Sequence, residues 1–368
     1  MTRTEGAIPW FAPEMTGEEL ALLSTVLDSG FVNDGPMTRR FEAEIAQIAG
    51  TRFAVAVTSG TIAIFCALTA VGVGPGDEVL VPALTFVATA NAVRLTGATP
   101  VLVDIEPGRF SIDPDAAEAA LTERTRAIVT VDVNGRGAGY ERIEPLCDRR
   151  GLQLVTDSAE GLGSFYRGRP LGSFGRAGCF SFSPNKFVTT GQGGMVTTND
   201  EALYHRLLEI KDQGRPVRGS GGDDLHPSMG FNFKFTDIQA AVGLAQLKLL
   251  DTRIEAARRR DALYQEHLGN IPGVRLGAME EEGEVRLWTD ALIERRDAVG
   301  TAFGQAEIGF RNFWYPINAQ QPYRDQPGPF TVAEKVSRQG LWLPSQFSIT
   351  EAEVERASRI LRDAVATL

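Results

Sequence analysis

Residues 53–104 read FAVAVTSGTIAIFCALTAVGVGPGDEVLVPALTFVATANAVRLTGATPVLVD, and they decide the fold class. Phe53 to Val57 is a short apolar, β-prone run, and Thr61 to Val71 spaces its apolar residues as a helix does. Glu78 to Val81 reads as the next strand, Thr85 to Leu95 as a helix and Pro100 to Val103 as a third strand. Gly74-Pro75-Gly76 and Pro107-Gly108 punctuate the units. Gly72, Gly74 and Gly76 follow a helix and precede a strand, the wrong order for a dinucleotide fingerprint, so they read as turn glycines.

The alternation continues outward. Pro114 to Leu121 looks helical, Ala127 to Val131 extended, Arg142 to Arg150 helical and Gln153 to Val155 extended; Cys179 to Phe182 and Met195 to Thr198 are two further strands. Such a series predicts an α/β fold with a mainly parallel sheet between helices. One long helix is expected over Thr236 to Leu268, with Asp237, Ile238, Ala241, Leu244, Leu247 and Leu250 along one stripe. Beyond about Asn270, a strand over Glu284 to Leu292 and helices near Val332 to Arg338 and Glu351 to Ala366 read as a small α+β domain. The predicted division is 1–250 for the large domain, N-terminal segment included, and 251–368 for the small one.

Bulk properties narrow the function. In 368 residues, Lys+Arg 37 against Asp+Glu 47 gives a net charge of -10. That balance argues against nucleic acid or an anionic membrane as partner, since both need a basic face, but leaves room for a small phosphorylated ligand held by local donors. Cys66, Cys147 and Cys179 lack CxxC spacing and accompany only three histidines, which argues against a zinc cluster. No apolar run approaches a membrane span, and Met1 to Trp10 lacks the apolar core of a signal peptide. A soluble, cytoplasmic protein with reduced thiols and no metal is expected.

Three segments carry candidate chemistry. Thr58-Ser59-Gly60-Thr61 ends a strand and opens a helix, so its amides and hydroxyls could form a phosphate site, although Ser and Thr are also ordinary helix caps. Its place after the first strand favours the ligand reading, because ligands gather at the carboxyl ends of strands in open α/β sheets. Asp157 closes the run Leu154-Val155-Thr156 and either caps the next turn or faces a ligand. Lys186 lies in Ser181-Phe182-Ser183-Pro184-Asn185-Lys186, with Gly191-Gln192-Gly193-Gly194 close behind. A lysine there is most simply a solvated loop residue; paired with an acid such as Asp157 it is also what pyridoxal 5'-phosphate requires, the lysine forming a Schiff base and the acid keeping the ring nitrogen protonated. Ser181 could donate to the same phosphate, and Phe86 could stack on the ring or serve only as core.

With these residues in view, nearly the whole chain from Gly30 onward resembles the DegT/DnrJ/StrS family of sugar aminotransferases, fold-type-I pyridoxal-phosphate enzymes. The resemblance rests on Thr58-Ser59-Gly60-Thr61, on 82–89, on 97–104, on Asp157-Ser158-Ala159-Glu160, on 181–194 and on 230–241. It implies a seven-stranded-type sheet, with Lys186 forming the internal aldimine and Asp157 pairing with the ring nitrogen. It also implies that Ser59, Gly60, Thr61 and Ser181 hold the phosphate, that Phe86 stacks near the ring, and that Glu160 lies over the face opposite the substrate. Asn232 would reach the cofactor of a neighbouring subunit, making a homodimer with shared active sites. Relatives often carry glutamine or histidine at Glu160; glutamate there occurs in members that act at C4 of a nucleotide-linked hexose, perosamine synthases among them. Val131-Asp132-Val133-Asn134-Gly135-Arg136 departs from the His-Leu-Tyr-Gly-like sequence common in the family.

The implied activity is transfer of an amino group from glutamate to a nucleotide-linked keto-sugar. A keto-cyclitol aminotransferase would share every motif, and a non-catalytic pyridoxal-phosphate-binding sensor would share the scaffold. A dehydratase of the same family replaces the lysine by histidine, which Lys186 argues against.

Overall fold

In a computed structural model of the chain, residues 6–216, 225–326 and 328–366 are described. Two helices, α1 (Glu18–Ser29) and α2 (Pro36–Ile48), precede β1 (Phe53–Val57), α3 (Gly60–Ala70), β2 (Glu78–Pro82), α4 (Ala88–Leu95), β3 (Thr99–Val103), α5 (Pro114–Ala119), β4 (Thr125–Val131), α6 (Tyr140–Arg150) and β5 (Gln153–Asp157). A two-stranded ribbon of β6 (Phe165–Tyr166) and β7 (Arg169–Pro170) leads to β8 (Ala177–Ser181), β9 (Gly194–Thr198) and α7 (Glu201–Lys211). The chain closes with α8 (Asp237–Leu247), α9 (Leu250–Leu268), β10 (Val274–Leu276), β11 (Asp290–Ile293), α10 (Arg296–Gln305), β12 (Arg311–Asn312), α11 (Thr331–Gln339), β13 (Gly340–Trp342) and α12 (Glu351–Ala366).

The large sheet has seven strands in the order β1-β9-β8-β5-β4-β2-β3. The neighbouring pairs from β8 through β3 are parallel, and β9 alone runs antiparallel, to both β1 and β8. This reversal brings the start of β9 level with the ends of its neighbours: Gly194 pairs with Val57 on one side and Ser181 on the other. Asp157, ending β5, lies opposite Cys179 and Val131. The last residues of β1, β8 and β5 and the first of β9 therefore share one edge of the sheet, where open α/β sheets bind ligands. Both faces are covered, which is why these strands read as continuous apolar runs.

A second, antiparallel sheet, β10-β11-β13-β12, carries its own core with α9, α10 and α12, built from Tyr264, Leu268, Ile293, Phe303, Leu341 and Leu361. Ile8, near the start of the chain, joins that core through a parallel bridge to Ile308.

Three sequence expectations are corrected. The single helix over 236–268 is two helices: Lys248 and Leu249 form a turn, and Gln246, fully buried, bonds the N-terminal segment at Glu14 and Glu19 while accepting from Arg253. The strand over 284–292 shrinks to β11, because side chains take the backbone donors that a strand neighbour would otherwise accept: Ser164 Oγ accepts from Val285, Asn134 Oδ1 from Trp288 and Ser345 Oγ from Thr289. The helix expected from Thr85 starts only at Ala88.

Among the described residues no helix is long and apolar enough to cross a membrane, and no grouping of His, Cys, Asp and Glu could hold a metal ion. The three thiols are free and buried, and burial pushes Cys66 and Cys147 up to about 12.

Candidate active site

The turn 58–61 is fixed first by capping and then by contact. Ser59 is the N-cap of α3, its Oγ accepting from the Ile62 amide at 3.3 Å. Glycine follows because the turn is pressed against the end of β8: a Cβ on Gly60 would stand 2.8 Å from Ser181 Cβ and 3.2 Å from its Oγ. On the other side, a Cβ on Gly194 would strike the carbonyl of Ser59. Two hydroxyls and the first amides of a helix are thus packed into one small cradle, a donor set suited to a phosphate monoester. Ordinary capping and a ligand cradle coincide here.

Asp157 is 6% exposed. Its Oδ2 accepts from Thr89 Oγ1 at 2.7 Å, and its Oδ1 from the Ala159 amide at 3.2 Å, so it also caps its turn. Thr89 is in turn 3.1 Å from Thr85 Oγ1, which fixes the hydroxyl. Among the described residues no arginine or lysine is bonded to this carboxyl. Burial pushes it up to about 6, with the Thr89 bond pulling the other way. A buried acid with no cation bonded to it among the described residues, at the edge of a cavity, fits a positively charged ring nitrogen placed against it.

Lys186 is one of only five lysines in the chain. Lys211 is buried against Asp34 and Glu42, Lys234 pairs with Asp212, Lys248 pairs with Glu18, and Lys335 is exposed on α11. Lys186 alone of the five lines the cavity. Its Nζ is 3.3 Å from Glu160 Oε1 and 4.8 Å from the ring centre of Trp288. Glu160 Oε2 accepts from the Asn134 amide at 2.8 Å, so both carboxylate oxygens are engaged.

One cavity, with about 920 Å³ of empty space counted to its open mouth, collects these groups. Ser59, Gly60, Thr61, Phe86, Asp157, Glu160, Ser181 and Lys186 all line it. Phe86 is half-exposed at 50%. Asn232 does not line the cavity; it lies exposed on the strand-like segment bridged to Asp212.

Sequence reasoning missed five residues. Asn134, in the segment that departs from the resemblance, has φ 57, a conformation asparagine tolerates, and this turns its amide to Glu160. Trp288, Arg311 and Trp314 reach the cavity from the second sheet and its approaches. No local signal marks them, because they are brought in by tertiary packing. Asp132, wholly buried, accepts from Ser158 Oγ at 2.6 Å and Tyr140 OH at 2.5 Å, and burial pushes it up to about 7. It braces the turn that presents Asp157.

The model of the DegT/DnrJ/EryC1/StrS aminotransferase family matches residues 13–362. The GDP-perosamine synthase of Caulobacter vibrioides is 36% identical over 363 residues, spanning 94% of this chain and 95% of that protein. The GDP-perosamine synthase of Escherichia coli O157:H7 is 34% identical over 354 residues, again 94% and 95% of the two chains. Among solved structures, S. venezuelae DesV in complex with a ketimine intermediate superposes with a TM-score of 0.93 at 33% identity, covering 98% of this chain and 99% of that one. DesI in the presence of its TDP-sugar product gives 0.90 at 31% identity, with 99% and 94% covered.

Proposed function

The chain belongs to the DegT/DnrJ/EryC1/StrS aminotransferase family and is a pyridoxal-phosphate-dependent aminotransferase; from that premise we propose that it moves an amino group from glutamate to C4 of a nucleotide-linked 4-keto-6-deoxyhexose. The observation that carries this reading is the meeting of Lys186, Asp157 and the Ser59–Ser181 cradle in one cavity. The likeness over nearly full length to two GDP-perosamine synthases supports a sugar nucleotide as acceptor.

Bound pyridoxal phosphate supplies an aldehyde that binds amines covalently and a ring that takes up the bonding electrons when the carbon beside that nitrogen loses its proton. The residues around it divide the remaining work. Ser59, Gly60, Thr61 and Ser181 hold the phosphate, through hydroxyls and the first amides of α3. Asp157 keeps the ring nitrogen protonated, and the hydroxyl of Thr89 fixes the carboxylate that does so. Phe86 packs beside the ring. Lys186 would anchor the cofactor through Nζ and, as a free amine, would hold and move a proton at Nζ for the reacting carbon. Glu160 keeps that amine within the cavity.

Asn232 serves a neighbouring copy in a homodimer with shared sites. Support comes from its exposure in the single chain, next to Phe231 at 36% and close to Ile238 at 39% exposed. We take 1–250 as the cofactor-binding unit and 251–368 as the small unit, and the cytoplasm as the site of action.

The test is a panel of keto-sugar nucleotides with glutamate, read by 2-oxoglutarate formation. Turnover with a GDP-linked 4-keto-6-deoxyhexose is expected. Turnover confined to a keto-cyclitol, or with no keto-sugar nucleotide at all, would overturn the reading.

A further inference from the structure

We propose that Trp288 is a positioning residue for Lys186: its indole face forms, with Glu160, a seat for the lysine ammonium while that side chain is detached from the cofactor. The inference rests on the reading of Lys186 as the proton-carrying amine. Between accepting a proton and giving it up, Nζ is a cation on a side chain only 12% exposed, and a cation so placed needs partners on the protein. The structure places two against it, the Glu160 carboxylate at 3.3 Å and the Trp288 ring at 4.8 Å from its centre. The latter distance is within the range at which an ammonium is attracted to an aromatic face.

The ring is held more firmly than packing alone would demand. Trp288 is 2% exposed and leans on Trp10 and Trp342, each 5.3 Å away between centroids. Its Nε1–H donates to the carbonyl of Asn185 at 3.2 Å, tying the indole to the residue that precedes Lys186. Its own backbone is gripped at both polar groups by one side chain. Asn134 Oδ1 accepts from the Trp288 amide at 2.7 Å, and Asn134 Nδ2 donates to the Trp288 carbonyl. Since the backbone amide of Asn134 also donates to Glu160, one residue sets both halves of the seat.

Other charges near Nζ are few. Asp157 attracts it from the β5 end, and Arg311 lines the same cavity from β12. Arg286, two residues before Trp288, is turned away onto Asp261 at 3.5 Å and Asp290 at 3.2 Å. Loss of the aromatic face therefore leaves the ammonium less favoured.

The experiment uses the full-length holoenzyme in its pyridoxamine form, where the lysine amine is free. Reductive methylation of Lys186 is followed by mass spectrometry from pH 6 to 10 in the wild type, Trp288→Phe and Trp288→Met. Labelling of Lys186 at a fixed pH is expected to be about 3- to 10-fold faster in Trp288→Met than in the wild type; Phe, with a weaker ring, falls between. Should Trp288→Met fail to fold, wild-type enzyme labelled with 5-fluorotryptophan carries the test. The resonance assigned by its loss in Trp288→Phe should move when Lys186 is replaced in Lys186→Met, because the amine lies 4.8 Å from the ring centre. Superimposable labelling curves, equal shifts in Phe and Met, or a fluorine resonance indifferent to Lys186→Met would overturn the proposal. Failure of the functional reading is told apart by turnover with the sugar panel, which leaves the labelling curves unchanged.

Discussion

Replacing Gly60 with alanine probes the cofactor cradle where it is tightest. The added methyl would lie 2.8 Å from Ser181 Cβ, about 0.7–1.2 Å inside the ~3.5–4.0 Å optimum for two carbons. Turning the serine side chain does not help, because the contact is with its Cβ and Ser181 Cα is only 3.5 Å away. Either the end of β8 or the first turn of α3 must retreat, and Gly194 blocks the turn on its far side. Overpacking of this kind costs about 1–3 kcal/mol, which in a chain of this size lowers the melting temperature by a few degrees. Separating the two elements also stretches their bonds to a shared phosphate. Losing one hydrogen bond to a charged group, worth about 1.5–3 kcal/mol, weakens pyridoxal-phosphate binding roughly 10- to 100-fold. Titration of the apoenzyme with cofactor, read by absorbance, gives the Kd, and differential scanning fluorimetry gives the stability. The double variant Gly60→Ala/Ser181→Gly should recover most of the lost stability while cofactor binding stays weak. A Gly60→Ala protein with wild-type Kd and melting temperature would refute the cradle.

Two further outcomes follow from buried charge. The Asp157 carboxyl, at about 6 against an ordinary 3.8, ionises reluctantly when the cofactor is absent. Its burial cost is absent well below pH 4, grows as pH rises through about 6, and levels off near ~3 kcal/mol. A ring cation offsets that cost, so the melting-temperature gap between holoenzyme and apoenzyme should widen from pH 5 to pH 8, and should lose this dependence in Asp157→Asn. A constant or narrowing gap in the wild type contradicts the pairing. Lys211→Met strips the cation from buried Asp34 and Glu42, which it meets at 2.9 and 3.2 Å. It should destabilise the fold by about 3–5 kcal/mol in urea titrations while leaving the cofactor's absorption spectrum intact; loss below 1 kcal/mol would show the triad to be dispensable.

The large sheet is legible because most of its strand residues are buried, so that β1, β2 and β3 stand out as apolar runs between turn glycines. Lys186, Asp157 and the 58–61 turn are legible as candidates for a related reason: each ends or follows such a strand, and strand ends are where an α/β sheet places its ligands. The second sheet is harder to read. Its strands β10, β12 and β13 span two or three residues, too short for periodicity to register, and the 284–289 segment is buried without being a strand because distant side chains satisfy its amides. The break at Lys248-Leu249 is equally hidden, both residues being good helix formers; it answers to Gln246 and Arg253, whose partners lie at Glu14, Glu19 and Phe187. Helix α7 was within reach, since Asp200 is a favoured cap and its carboxylate accepts from Leu203. Trp288 and Asn134 were not, because what matters in them is a contact 154 residues apart in sequence.

Borohydride reduction of the resting holoenzyme, followed by peptide mapping, bears most directly on the account. With five lysines in the chain, the site of the pyridoxyl group is unambiguous. The mass increment should fall on the peptide containing Lys186 alone, and it should vanish if glutamate is added before reduction. A pyridoxyl group on Lys211, Lys234, Lys248 or Lys335, or labelling of Lys186 that glutamate leaves untouched, would contradict it.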